Sequence, residues 1–394
     1  MAAFEFFSIP RIVFGRGTLA RLGQLAAPNG NVALIIHNGD ESNAERARKA
    51  LLDSKLAVST FRQKGEPTVT DIDRGLETAR SFSAQVIIGL GGGSAIDAAK
   101  AIAGLLANGG SALDYMEVVG KGQKITKPAA PWIAIPTTAG TGAEATRNAV
   151  IGAPERKFKA SIRGEQLLAR IALIDPDLGI STPPRVTASS GMDALCQLIE
   201  SYTSIGAQPM TDALSLKGIE LAARSLPRAF RDGADVAARE DMALAALWSG
   251  ITLTNAGLGA VHGFAAPLGA NFPVPHGTVC AALLPHVISA NVDAIRARSE
   301  TDPVLNRYAS VGRLLCGDKK IPEKEAIDSA ICCTSDLTHQ LQIPPLSQFG
   351  LSELDIMPMV QLARTASSMR YNPIELSNDA LSEVLRAGIG GSGA

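Results

Sequence analysis

Residues 85–90 form a short apolar run, and Gly91, Gly92, Gly93 and Ser94 follow it directly, leading into Ala95-Ile96-Asp97-Ala98-Ala99-Lys100. A buried strand that empties through three glycines into a helix builds an anion-binding corner. Glycine lets the backbone approach a phosphate without a Cβ in the way, and the new helix offers unpaired N–H groups at its positive end. Such a corner suits the pyrophosphate of a dinucleotide. The same turn can serve only to pack a helix on a strand, so the rest of the chain has to decide.

As far as Thr182, apolar runs at 32–36, 57–61, 85–90, 132–135 and 171–174 alternate with helical patterns at 44–53, 71–82 and 95–106. Alternation of this kind predicts a parallel sheet wound by helices, with ligands at the carboxyl ends of the strands. After Pro183-Pro184 the texture changes to long Ala/Leu-rich segments at 186–203, 211–232, 236–256 and beyond, with apolar residues recurring at helical spacing. The expected organisation is an α/β domain over 1–182 and an all-helical domain over 183–394, with a cleft between them for the active site.

Composition narrows the partners. The net charge is -1, from 37 basic and 38 acidic residues without a basic block, which argues against nucleic acid or an anionic membrane surface. The N-terminus lacks a signal-peptide layout and no unbroken apolar stretch is long enough to span a bilayer. The five cysteines, Cys196, Cys280, Cys316, Cys332 and Cys333, fit no metal knuckle. They read as reduced thiols of a cytoplasmic protein whose partner is a small-molecule substrate.

Two further motifs carry chemistry. Pro136-Thr137-Thr138-Ala139-Gly140-Thr141-Gly142-Ala143-Glu144 again ends an apolar strand, with hydroxyls and backbone N–H groups suited to ribose and phosphate oxygens. Gly191-Met192-Asp193-Ala194-Leu195-Cys196-Gln197-Leu198-Ile199-Glu200 places Asp193 and Gln197 four apart, on one helix face. His262 and His276 lie downstream, and Pro267, Gly269 and two further prolines between them forbid one continuous helix, so the chain can fold back and bring the imidazoles together.

With these motifs in this order, the chain resembles the iron-containing, or group III, alcohol dehydrogenases. That family carries GGGSxxDxxK, a PTTxGTGSE-like loop and a GxDAxxHxxE helix followed by two histidines about fourteen residues apart. The first two match nearly residue for residue, with Ala143 where serine is usual, and the resemblance runs from Ile12 to the helical end. It implies a dinucleotide-binding α/β domain and a helical domain, as read above. It also implies an NAD- or NADP-dependent oxidoreductase acting on a small alcohol–aldehyde or hydroxy–oxo pair, commonly as a homodimer or larger assembly. Gly92, Gly93 and Ser94 would hold the pyrophosphate. Thr137, Thr138 and Lys159 would contact the phosphates or nicotinamide ribose, and Asp97 would line the cofactor side of the cleft. Asp193, Gln197, His262 and His276 would hold a divalent metal, Fe or Zn, through which Asp193, His262 and His276 serve catalysis.

Three positions depart from the family. Gln197 replaces a histidine ligand, and its neutral oxygen suits Mg²⁺ or Ca²⁺ better than Fe²⁺ or Zn²⁺. Either three ligands suffice, with Gln197 or water completing the shell, or the site holds no ion and Gln197 hydrogen-bonds the substrate. Ala266 stands where a relay histidine is frequent. Asn38, at the end of the 32–36 run, replaces the aspartate with which NAD-preferring members bind the ribose 2′-hydroxyl, so NADP(H) is admitted beside NAD(H). His37 beside it reads as an exposed loop histidine. Two alternatives stay open: a metal-independent oxoacid reductase like maleylacetate reductase, with Arg147 and Arg163 as carboxylate binders, and a dehydroquinate synthase-like lyase. The lyase needs several Lys and Arg residues around its metal, and the segment 193–200 has none. Trp248, Leu253, Phe264 and Phe272 are the expected substrate-pocket lining.

Overall fold

The structure is a computed structural model that describes residues 3–156 and 158–390. Six strands form a parallel sheet: β1 (Ile12–Phe14), β2 (Val32–His37), β3 (Ala57–Arg62), β4 (Val86–Gly91), β5 (Trp132–Pro136) and, after a hairpin of β6 (Asn148–Ala153) and β7 (Phe158–Arg163), β8 (Ile171–Ile174). Their order is β1-β8-β5-β4-β2-β3. The interior strands β4 and β8 are buried along their whole length, whereas edge strands β1 and β3 alternate in exposure. Helices on both faces dictate that contrast, because only an edge strand of such a sheet sees water.

Helix starts lie earlier than apolar periodicity suggests, since polar caps carry no periodic signal. Asp40 accepts the Ser42 N–H to start the helix Glu41–Asp53, and a Thr68/Asp71 capping box starts Val69–Ser81. The antiparallel hairpin β6–β7 was not expected from the sequence, its strands being short and only partly apolar. His37 also differs from expectation: it ends β2 and is buried, not exposed on a loop.

One compact unit spans Phe7–Thr182; the other runs from Pro183 onward and includes the residues just before Phe7. In the helical unit, Pro184–Thr203 packs against Pro209–Arg231, Val236–Ala256 and His276–Arg298. The helix His276–Arg298 is long and apolar enough to cross a membrane, but 72% of its apolar window is buried in the protein, as in a core helix. No continuous helix joins His262 to His276, as expected, but the break is not at Pro267. That proline lies inside the helix Ala260–Asn271, where it removes one backbone hydrogen bond, and the reversal comes after Asn271.

The hairpin is held to the sheet unit by a fully buried lysine. The Lys100 ammonium, on the helix Gly93–Asn108, donates to Thr146 Oγ1 and the Asn148 carbonyl at 2.6 Å each and to Asp97 Oδ1 at 3.3 Å. Asp97 Oδ2 in turn accepts the Val150 N–H at 3.0 Å. Lys100→Met would leave a buried carboxylate and two acceptors without their cation, so a loss of about 3–5 kcal/mol in urea unfolding is expected. Glu144, also buried, has its pKa pushed by burial to about 7 from the ordinary 4.5, with its own N–H and Lys100 opposing. The folded chain keeps this proton where the unfolded chain has released it, so the stability linked to it is full below pH 4.5 and is lost as pH rises through 7. Glu144→Gln should therefore gain stability over the native chain on going from pH 5 to pH 8, on the order of 2–3 kcal/mol in paired urea titrations.

Candidate functional site

Strand register assembles the glycine corner. His37 pairs with Leu90, and Gly91 with Pro136, so the residues after β2, β4 and β5 leave the same carboxyl edge of the sheet side by side. Asn38 Oδ1 accepts the Gly92 N–H at 2.9 Å. Gly91 has a φ of +145°, and a Cβ there would stand 2.0 Å from Asn38 Oδ1, so no other residue fits. A Cβ on Gly92 would come within 3.3 Å of Thr138 Oγ1, and the Thr137 N–H donates to the Gly91 carbonyl at 2.9 Å. The helix Gly93–Asn108 starts here with Gly92 as its cap and no side chain capping it, which leaves first-turn N–H groups such as those of Gly93 and Ser94 without a helical partner. Backbone donors and hydroxyls packed around glycines fit a pyrophosphate.

Six of the residues expected to bind the cofactor, Asn38, Gly92, Gly93, Ser94, Thr137 and Thr138, thus gather at one sheet edge. Asp97 and Lys159 have protein partners of their own. Asp97 ties the helix to the hairpin through Lys100 and Val150, and Lys159, on β7, pairs with Glu66.

The second cluster lies wholly in the helical unit. Asp193, Gln197 and Glu200 follow one another along Pro184–Thr203, His262 sits in the first turn of Ala260–Asn271, and His276 opens the helix His276–Arg298. Gly277 permits the close approach of that last helix, because a Cβ there would lie 2.1 Å from the Ser189 carbonyl oxygen. The two imidazole centroids are 5.4 Å apart. His262 Nε2 lies 3.2 Å, and His276 Nε2 3.7 Å, from Asp193 Oδ1. The other nitrogen of His262, Nδ1, is 2.5 Å from Glu200 Oε2, and Glu200 Oε1 accepts the Val261 N–H at 2.8 Å. Glu200 therefore caps a helix and pairs with Nδ1, which turns Nε2 toward Asp193. This carboxylate–histidine pairing is the arrangement that orients a metal ligand.

Burial works against a charged Asp193, yet His276 and then His262 hold its carboxyl below the ordinary aspartate value. Side-chain exposure is 2% for Asp193, 6% for His262 and 41% for His276, so the cluster opens to solvent on the His276 side. Carboxylate oxygen and imidazole nitrogens converging in this way fit a divalent ion such as Fe²⁺ or Zn²⁺.

Two participants carry no role in the sequence reading. Glu200 is seven residues beyond Asp193, two turns along the same helix face, and that spacing was its signal. Cys280 is one turn beyond His276; its sulfur lies 3.7 Å from His262 Nε2 and groups with Asp193, His262 and His276. Gln197, by contrast, is buried with Oε1 accepting from the Ser249 hydroxyl at 2.7 Å. Of the expected pocket residues, Phe264 is fully buried core, while Trp248, Leu253 and Phe272 keep partial exposure.

Comparison with known proteins agrees with this geometry. Residues 10–176 match the model of the iron-containing alcohol dehydrogenases, and residues 187–389 the C-terminal model of the Fe-containing alcohol dehydrogenase family. Alcohol dehydrogenase 4 of Saccharomyces cerevisiae is 33% identical over 393 residues, covering 98% of this chain and 99% of its own. The NAD-dependent methanol dehydrogenase of Bacillus methanolicus is 31% identical over 389 residues, covering 97% and 99%. The crystal structure of a 1,3-propanediol oxidoreductase superposes with a TM-score of 0.90 at 30% identity, covering 98% of this chain and all of that one. The chain belongs to the iron-containing alcohol dehydrogenase family and is an oxidoreductase of alcohols and aldehydes.

Proposed function

We propose that the chain transfers a hydride between NAD(H) or NADP(H) and a small alcohol–aldehyde pair, with a divalent metal held by Asp193, His262 and His276. The observation that carries this reading is the His262 imidazole, whose Nδ1 is paired with Glu200 while Nε2 meets Asp193. When bound, the metal supplies Lewis acidity to the substrate oxygen, and the nicotinamide supplies or accepts the hydride. Glu200 fixes the ring of His262, and Asp193 contributes the negative charge that a dication needs. The pyrophosphate belongs to Gly92, Gly93 and Ser94, with Thr137 and Thr138 beside it. Lys159 and Asp97 contribute to this region through the hairpin they brace. Ala266 carries no titratable group, so the proton exchanged with the alcohol oxygen passes through water, the ribose hydroxyls or another side chain.

The oxoacid alternative receives less support. Arg147 stacks over the Phe7 ring at 4.3 Å, and Arg163 donates to Glu117 at 3.1 Å, so both guanidinium groups already have partners. The lyase alternative needs several cations around the metal, and the segment 193–200 that carries Asp193 supplies none.

His276→Ala should lower kcat/KM for reduction of short aldehydes by about 10²–10³-fold, the value of a lost Lewis acid, while leaving coenzyme Kd unchanged. Steady-state assays with metal analysis by mass spectrometry check this. Full activity in metal-free, chelator-treated protein would return the reading to oxoacids. Coenzyme choice rests on Asn38, whose oxygen is occupied by Gly92 and whose remaining group is an NH₂ donor, uncharged toward a 2′-phosphate. Asn38→Asp should shift the NADPH/NADH ratio of kcat/KM toward NADH by at least about tenfold, or ~1.4 kcal/mol.

A further inference from the structure

The reading above leaves the fourth corner of the metal site open, since the family's histidine is Gln197 here. We infer that Cys280, not Gln197, supplies the fourth protein donor, giving an Asp–His–His–Cys centre; this rests on the proposal that Asp193, His262 and His276 hold an ion.

Three observations point to it. First, His276 begins a helix and Cys280 follows one turn later, so both side chains leave the same face toward Asp193. Second, one ligating atom from each of Asp193, His262, His276 and Cys280 lies within 4.8 Å of the others. A tetrahedral zinc, with Zn–N roughly 2.0–2.1 Å and Zn–S about 2.3 Å, sets its N and S donors about 3.6 Å apart and its N and O donors about 3.4 Å apart. The corresponding separations here are 3.7 Å for His262 Nε2 to Cys280 Sγ, and 3.2 and 3.7 Å for the two imidazoles to Asp193 Oδ1. The donors already stand near the corners of the polyhedron. Third, Gln197 has its oxygen, its one ligating atom, on the Ser249 hydroxyl at 2.7 Å.

The other buried thiol is placed differently. Cys196 Sγ lies on the Nδ1 side of His262, at 3.9 Å, where Glu200 is already the partner. A metal on the Nε2 side therefore meets Cys280 and not Cys196. On binding, the Sγ–H bond of Cys280 breaks, its proton leaves to solvent and a sulfur–metal bond forms, with no change in oxidation state. A thiolate is a soft donor that favours Zn²⁺ and Fe²⁺ over Mg²⁺ or Ca²⁺, so the exchange of histidine for glutamine at position 197 need not weaken the site for the softer ions.

The test uses the full-length chain stripped of metal and titrated with Co²⁺, whose thiolate charge-transfer absorption in the near ultraviolet reports sulfur ligation. X-ray absorption on the Zn²⁺-loaded native chain provides a reading that needs no variant. The expected result is one sulfur neighbour at about 2.3 Å and a charge-transfer band that persists in Cys196→Ser and Gln197→Ala but vanishes in Cys280→Ser. Zn²⁺ affinity in Cys280→Ser should fall at least about 100-fold, the upper end of what losing an outer-shell partner costs. Binding of one ion with only nitrogen and oxygen neighbours, or a band that survives in Cys280→Ser, would overturn the inference and leave the three-ligand site standing. Failure of the native chain to bind either ion would overturn both.

Discussion

The imidazole of His262 is held between two buried carboxylates, Glu200 on Nδ1 and Asp193 on Nε2, and this sandwich sets the terms for the rest of the helical unit. Two anions cannot be buried around a neutral ring without a compensating cation. Protons on the imidazoles are one solution: burial opposes charge on His262, but Cys280, Glu200 and Asp193 around it hold its proton well above the ordinary imidazole range. A dication is the other, replacing protons with a charge that also acts on a substrate oxygen.

Glu200 links this chemistry to the fold. By accepting the Val261 N–H it caps the helix that carries His262, so one carboxylate both starts a helix and orients the ring at its first turn. Gly277 does comparable work on the other side by letting the His276 helix lie against Ser189. Backbone capping and close packing, not flexible side-chain reach, bring the donors together. That rigidity lets ligands separated by long stretches of chain meet within hydrogen-bond distances.

In the sheet unit, a lysine fully removed from water takes the equivalent part. Lys100 satisfies Thr146, Asn148 and Asp97, and thereby fixes the end of the threonine–glycine loop and the first hairpin strand against the helix that follows the glycines. The final lysine of the motif that begins with those glycines therefore acts on the fold. Asp97, expected on the cofactor side, is drawn into the same tie, because a buried ammonium and a neighbouring backbone N–H are stronger claims on a carboxylate than solvent.

The sequence alone determined the alternation of strands and helices, the glycine corner at the end of β4, and the pairing of one aspartate with two downstream histidines. The first two follow from a local rule, apolar runs ended by glycine; the third came from the resemblance of the motifs, in their order and spacing, to those of the family. Caps and the short β6–β7 strands escaped, since they depend on polar side chains and long-range pairing that periodicity does not record. Tertiary structure decided which donors converge. Helical spacing puts Asp193 beside Gln197 and His276 beside Cys280 with equal force. Only the packing of His276–Arg298 and Ala260–Asn271 against Pro184–Thr203 brings Cys280 toward Nε2 of His262, while Ser249 from Val236–Ala256 engages Gln197. A sequence specifies which residues share a helix face; which faces meet depends on burying apolar surface from helices far apart in the chain.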